Sequence, residues 1–157
     1  MISFRCILLT LMMAPLGACS GGPDDASEGK AAFDFEIGAA MLPGENCLRC
    51  HSEGSAYPSA PIWSAAGTVF ERADSEVGVR GATVRLVDSA GKELELTTNA
   101  AGNFYTSEPL VFPLRASLSF EGFEASMPVE VPAGSCNACH SHPDPSGGAQ
   151  GHIRVAR

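Results

Sequence analysis

Positive charge is scarce in this chain. Ten Lys and Arg stand against eighteen Asp and Glu, for a formal net charge of −8. That sign argues against nucleic acid and anionic lipid surfaces as partners, and it favours a basic protein wherever charge steers an encounter. Long apolar runs are also missing. The one candidate, Cys6 to Met13, is too short for a permanent bilayer-spanning helix. Seventeen glycines and eleven prolines speak against long helices and for many turns. What remains is 157 residues, 45% hydrophobic and 18% charged, enough for one compact domain with small appendages.

Against these absences stands one pattern written twice. Cys47-Leu48-Arg49-Cys50-His51 and Cys136-Asn137-Ala138-Cys139-His140 share the spacing Cys-x-x-Cys-His and bracket everything between them. Two cysteines three apart lie on one side of a single helical turn, where their sulfurs can add to the two vinyl groups of one haem. The histidine that follows places an imidazole under the iron, so each pentad reads as a c-type haem attachment site. Two covalent haems are therefore expected, held by Cys47 and Cys50, and by Cys136 and Cys139, with His51 and His140 as proximal ligands. The four cysteines could also form zinc knuckles or disulfides. Neither alternative requires a histidine directly after the second cysteine in both copies.

Residues 1–19 read as an export signal: Arg5, the apolar run, then Leu16-Gly17-Ala18-Cys19. That quartet resembles the lipobox of bacterial lipoproteins, which implies lipidation of Cys19 and a membrane-anchored protein of a Gram-negative cell envelope. A plain secretory signal or a retained anchor is the alternative. Residues 20–36, headed by Gly21-Gly22-Pro23-Asp24-Asp25, read as a flexible tether. Export agrees with haem attachment, since c-type haem is attached outside the cytoplasmic membrane in bacteria.

The folded part divides into a first haem-binding segment (37–63), a strand-rich body (64–131) and a second haem-binding segment (132–157). In the first, Pro43-Gly44 predicts a turn, and Glu45-Asn46 offer capping groups to a short helix over Cys47 to His51. Ser135 is the matching cap of the second, and Ile153 with Val155 suggest a last short strand. In the body, alternation predicts six strands. They run through Gly67–Phe70, Gly81–Val87, Leu94–Thr98, the region of Phe104, Leu114–Phe120 and Met127–Val131. Asn99 is placed to bond its own backbone and Gly102 to take a positive φ, returning Phe104 to the core. Six passages return a chain to the end where it entered, which predicts that the two haem segments meet at one end of a β-sandwich.

Gly67-Thr68-Val69, Gly81-Ala82-Thr83-Val84-Arg85-Leu86 and Thr98-Asn99-Ala100-Ala101-Gly102-Asn103-Phe104 resemble the carboxypeptidase regulatory-like domain. This resemblance implies a mainly β, transthyretin-like Greek-key sandwich, flanked here by two short haem-binding segments with little helix. It also implies a non-catalytic accessory, and the body offers no nucleophile, acid–base pair or triad. As a whole the chain resembles small multihaem cytochrome lipoproteins. One-electron transfer is the expected function, with redox proteins of the envelope as partners and self-assembly through haem contacts as a further expectation. A dihaem peroxidase would need an open iron position and acid–base residues, and the chain's size is against it. The candidate distal ligands are His152, Met41 and His142. His142 follows His140 by two residues and would point away from the iron on His140.

Overall fold

The computed structural model describes residues 38–156. The expected signal peptide, Cys19 and the tether lie outside the described residues. The chain is mainly β, with seven strands in two sheets and two three-residue 3-10 turns among the described residues. The strands are β1 (Ala65–Phe70), β2 (Thr83–Val87), β3 (Glu93–Thr97), β4 (Asn103–Thr106), β5 (Arg115–Phe120), β6 (Phe123–Ser126) and β7 (Ile153–Arg154). One sheet has the order β4-β1-β7 and the other β3-β2-β5-β6.

The second sheet follows its period-two pattern. On β2, Val84 and Leu86 are buried while Arg85 is exposed. Val84 stands opposite Leu96 of β3 and Leu118 of β5, so one apolar row crosses three strands. These residues join Ala65 and Val69 of β1, Phe104 of β4 and Leu114 in a single core fed by both sheets. Each fully buried Val, Leu or Phe side chain contributes roughly 1.5–3 kcal/mol.

Turn chemistry sets the registers. Asn99 Oδ1 accepts from the N–H groups of Ala101 (2.9 Å) and Asn103 (3.1 Å). Gly102 has φ +80°, and a Cβ there would lie 2.3 Å from the Val69 carbonyl oxygen. Asp88 does comparable work after β2. Its buried carboxylate accepts from the N–H groups of Ala90, Lys92 and Val111, and these bonds, that of Val111 foremost, hold the carboxyl below the usual carboxylate range.

The sixth strand differs from its expected place. It forms at Phe123–Ser126, not at Met127–Val131, where Val131 makes an isolated pairing with Leu114 and the Met127 N–H donates to the Ala116 carbonyl. The reason is the turn Glu121-Gly122, where φ is +46° and +83°. Two consecutive positive φ values close a two-residue hairpin that brings Phe123 opposite Phe120.

β1 is buried at all six positions. β4 pairs with one edge, while Gly134, Ser135 and β7 line the other. The Ala66 N–H donates to the Gly134 carbonyl (2.9 Å), and β7 runs parallel to the far end of β1. A Cβ on Gly134 would sit 1.9 Å from the Ser64 oxygen, so only glycine allows this approach. The expected flanking segments are thus built against a strand of the body.

Candidate functional site

The two Cys-x-x-Cys-His pentads fold alike. Each opens with a 3-10 turn, Cys47–Arg49 and Cys136–Ala138. In each, the first cysteine's carbonyl accepts from the N–H of the second cysteine at 3.2 Å and of the histidine at 3.0 Å. The expected side-chain caps are absent in both turns. Ser135 Oγ donates instead to Asn46 Oδ1, so the two would-be caps bond each other across the motifs.

Each pentad histidine is anchored through Nδ1. His51 Nδ1 lies 2.8 Å from the Pro61 carbonyl oxygen, ten residues on, and His140 Nδ1 lies 3.1 Å from that of Gly151, eleven residues on. A backbone carbonyl can only accept, so Nδ1 carries the proton and Nε2 is left with the lone pair that a metal binds. Burial pushes the His140 pKa below its ordinary value, which favours the neutral ring. The Gly151 bond partly opposes this, and Arg154 and His152 reinforce it.

A buried polar cluster ties both pentads to β1. Thr68 has no exposed surface, and its N–H donates to Asn137 Oδ1 (3.0 Å). Asn137 Nδ2 donates to Thr68 Oγ1 (3.0 Å) and to the Glu45 carbonyl (2.9 Å), just ahead of the first motif. Thr68 Oγ1 accepts from the Gly44 N–H (2.9 Å) and donates to Asn103 Oδ1 (2.7 Å), while Asn103 Nδ2 donates to the Met41 carbonyl (2.9 Å). The two pentad segments therefore meet along β1. They meet because both pair and bond with that strand, not through the parity of strand passages. Gly67 makes room for this: a Cβ there would fall 2.9 Å from the Cys136 Cβ.

None of the four cysteines is disulfide-bonded. Cys136 is half-buried, and desolvation pushes its thiol up to about 12, with Cys47 and Cys139 nearby adding to the effect. Burial raises the Cys47 thiol as well. Among the described residues no group of three or more His, Cys, Asp or Glu side chains is arranged to hold a metal ion.

Two of the candidate distal ligands, His152 and His142, lie apart from His51. That imidazole is buried and stacks on Trp63, next to the start of β1 (ring centroids 3.5 Å, planes 7° apart). His152 is buried at the other end of β1, stacked on Phe70 (4.0 Å, 18°), with Nδ1 3.0 Å from the Ser75 carbonyl oxygen. Seven residues of nearly extended chain separate Trp63 from Phe70, roughly 23 Å. His152 also follows Gly151, which sits on the Nδ1 side of His140, behind the nitrogen a metal would use. His142 is exposed and meets His152 edge to face (5.6 Å, 64°). Met41 is half-buried and its backbone is held by Asn103.

Sequence reasoning missed Thr68, Asn103, Asn137 and Trp63. A buried-strand threonine and an asparagine inside a pentad were the available signals. No protein-family model, curated protein or solved structure matches this chain.

Proposed function

We propose that this chain is an exported, lipid-anchored dihaem c-type cytochrome of a Gram-negative cell envelope, and that it transfers single electrons and is not an enzyme. The observation that carries the reading is the repeated local geometry. Two pentads take the same turn, and each locks its histidine through Nδ1 onto a downstream carbonyl, leaving Nε2 as the ligand atom. Haem, when bound, supplies an iron that gains and loses one electron.

The chain's own residues do the rest. Cys47 and Cys50 hold one group, and Cys136 and Cys139 the other. His51 and His140 would present Nε2 as the ligand atoms. The Asn137–Thr68 cluster fixes the spacing of the two segments. The body between them is read as a Greek-key sandwich of the carboxypeptidase regulatory-like kind, a reading supported by its two sheets and shared core. Lipidation at Cys19 would place the protein at a membrane surface, facing redox proteins of the envelope.

The test is to express the full chain with a haem-attachment system and measure its intact mass and pyridine haemochrome spectrum. Two haems per chain are expected. Zinc or linked cysteines with no haem would replace this reading with a stapled binding module.

A further inference from the structure

Resting on that reading, we propose that Trp63 and Tyr105 form the route along which the first haem exchanges its electron with a partner at the surface. His51 is only 4% exposed, so its ring has almost no direct opening to solvent. The Trp63 indole stacks on its imidazole, with centroids 3.5 Å apart and planes 7° apart. The Tyr105 ring stacks on the same indole at 4.2 Å and 11°. Three nearly parallel rings thus lead from the ligand outward, and Tyr105 brings the stack to solvent at 40% exposure.

Each ring is held by regular structure. His51 is fixed through Nδ1 on Pro61, and the Trp63 N–H donates to the His51 carbonyl (2.9 Å). Tyr105 stands opposite Ala66 in the β1–β4 ladder, the outward-facing residue of a strand whose other three residues are buried. Trp63 is the chain's single tryptophan and Tyr105 one of two tyrosines. Among the described residues no aromatic ring stacks on His140, so this route belongs to the first segment alone.

The rings carry one electron between the iron on His51 and a one-electron acceptor at the surface. No bond is made or broken and no proton moves. Trp63 and Tyr105 are neither oxidised nor reduced, because they act as a bridge of overlapping π systems. Trp63 is in addition a positioning residue, since it sets the plane of the His51 imidazole.

The experiment compares wild type with Tyr105→Leu, Trp63→Leu and Tyr57→Leu, each as the full haem-loaded chain. Tyr57 is the other tyrosine, exposed and outside the stack. Oxidation of the reduced protein by tris(phenanthroline)cobalt(III) is followed by stopped flow, alongside haem content, reduction potentials and electron paramagnetic resonance of the ferric form. Tyr105→Leu should slow one oxidation phase about tenfold at unchanged potentials and haem content. Trp63→Leu should slow the same phase and also shift the resonance of one haem, because its imidazole is released. Tyr57→Leu should match wild type. Two haems per chain with an unaltered rate in Tyr105→Leu would overturn this route and leave the cytochrome reading standing. A wild-type chain without haem would overturn both.

Discussion

The two Cys-x-x-Cys-His segments agree in backbone and differ in surroundings. Turn, carbonyl bonding and the downstream anchor on Nδ1 are common to both, down to paired distances of 3.2 and 3.0 Å. Around the first histidine lie Trp63 and Tyr105, whereas the second stands beside Gly151, Arg154 and His152. A five-residue motif therefore encodes the turn and, with one downstream carbonyl, the anchoring of its histidine. What surrounds each histidine is set by the chain outside the motif. The segments also differ in how they meet the body. Asn137 inserts a buried amide into the β1 cluster, and its counterpart in the first motif is the half-buried Leu48.

The largest effect comes from erasing that last difference. Asn137→Leu writes the first motif's residue into the second, at similar size but without donors or acceptors. The buried Thr68 N–H and the Glu45 carbonyl would lose their partners, and each unsatisfied buried group is costly. A loss of about 3 kcal/mol is expected in urea unfolding of the full chain. The reciprocal change, Leu48→Asn, removes a half-buried apolar contact and should cost about 1 kcal/mol. Equal costs would mean that the two positions are equivalent and the Asn137 cluster is incidental.

The next effect tests whether the segments are joined by one bond or by several. Ser135 Oγ donates to Asn46 Oδ1, and each is the residue just ahead of a motif's first cysteine. Ser135→Ala and Asn46→Ala should each cost about 1 kcal/mol. The double variant should cost little more than either, because the two substitutions remove the same bond. Additive losses in the same unfolding measurement would show that the two side chains act separately.

How much of this was legible depends on where the determining contacts lie along the chain. The pentads are local, and so are the turn at Asn99-Gly102 and the alternation of Val84-Arg85-Leu86. All of these can be read because their partners are a few residues away. The sixth strand was misplaced because Phe123–Ser126 is largely exposed and carries no burial pattern, while Met127, Val129 and Val131 alternate without pairing as a strand. The signal passed over was Glu121-Gly122, whose two positive φ values set the hairpin. Asn46 and Ser135 read as helix caps by residue type, since nothing local says that a polar side chain will find its partner 89 residues away. The convergence of the two segments was expected from counting strands. It rests instead on Thr68 and Asn137, 69 positions apart, which a single sequence does not link.

The smallest effect separates two ways of closing the same turn. In the first segment the Cys50 carbonyl accepts from a side chain, Ser55 Oγ, at 2.7 Å. In the second the Cys139 carbonyl accepts from a backbone group, the Ser146 N–H, at 3.0 Å, while Ser146 Oγ donates to the Ala138 carbonyl at 3.2 Å. Replacing either serine with alanine deletes a hydroxyl, but only in the first segment does the cysteine carbonyl lose that bond. Ser55→Ala should cost about 1 kcal/mol, the usual net worth of a partly buried hydrogen bond. Ser146→Ala keeps the backbone N–H, and its longer, exposed hydroxyl bond competes with water, so about 0.3 kcal/mol is expected. Hydrogen exchange offers a second readout that stability alone does not. The Ser146 N–H should stay protected in Ser146→Ala, whereas in Ser55→Ala the Tyr57 N–H, which donates to Ser55 Oγ at 3.2 Å, should exchange faster. If the two variants lose equal stability and Tyr57 protection is unchanged, the second turns close alike, and the contrast between side-chain and backbone closure has no energetic content.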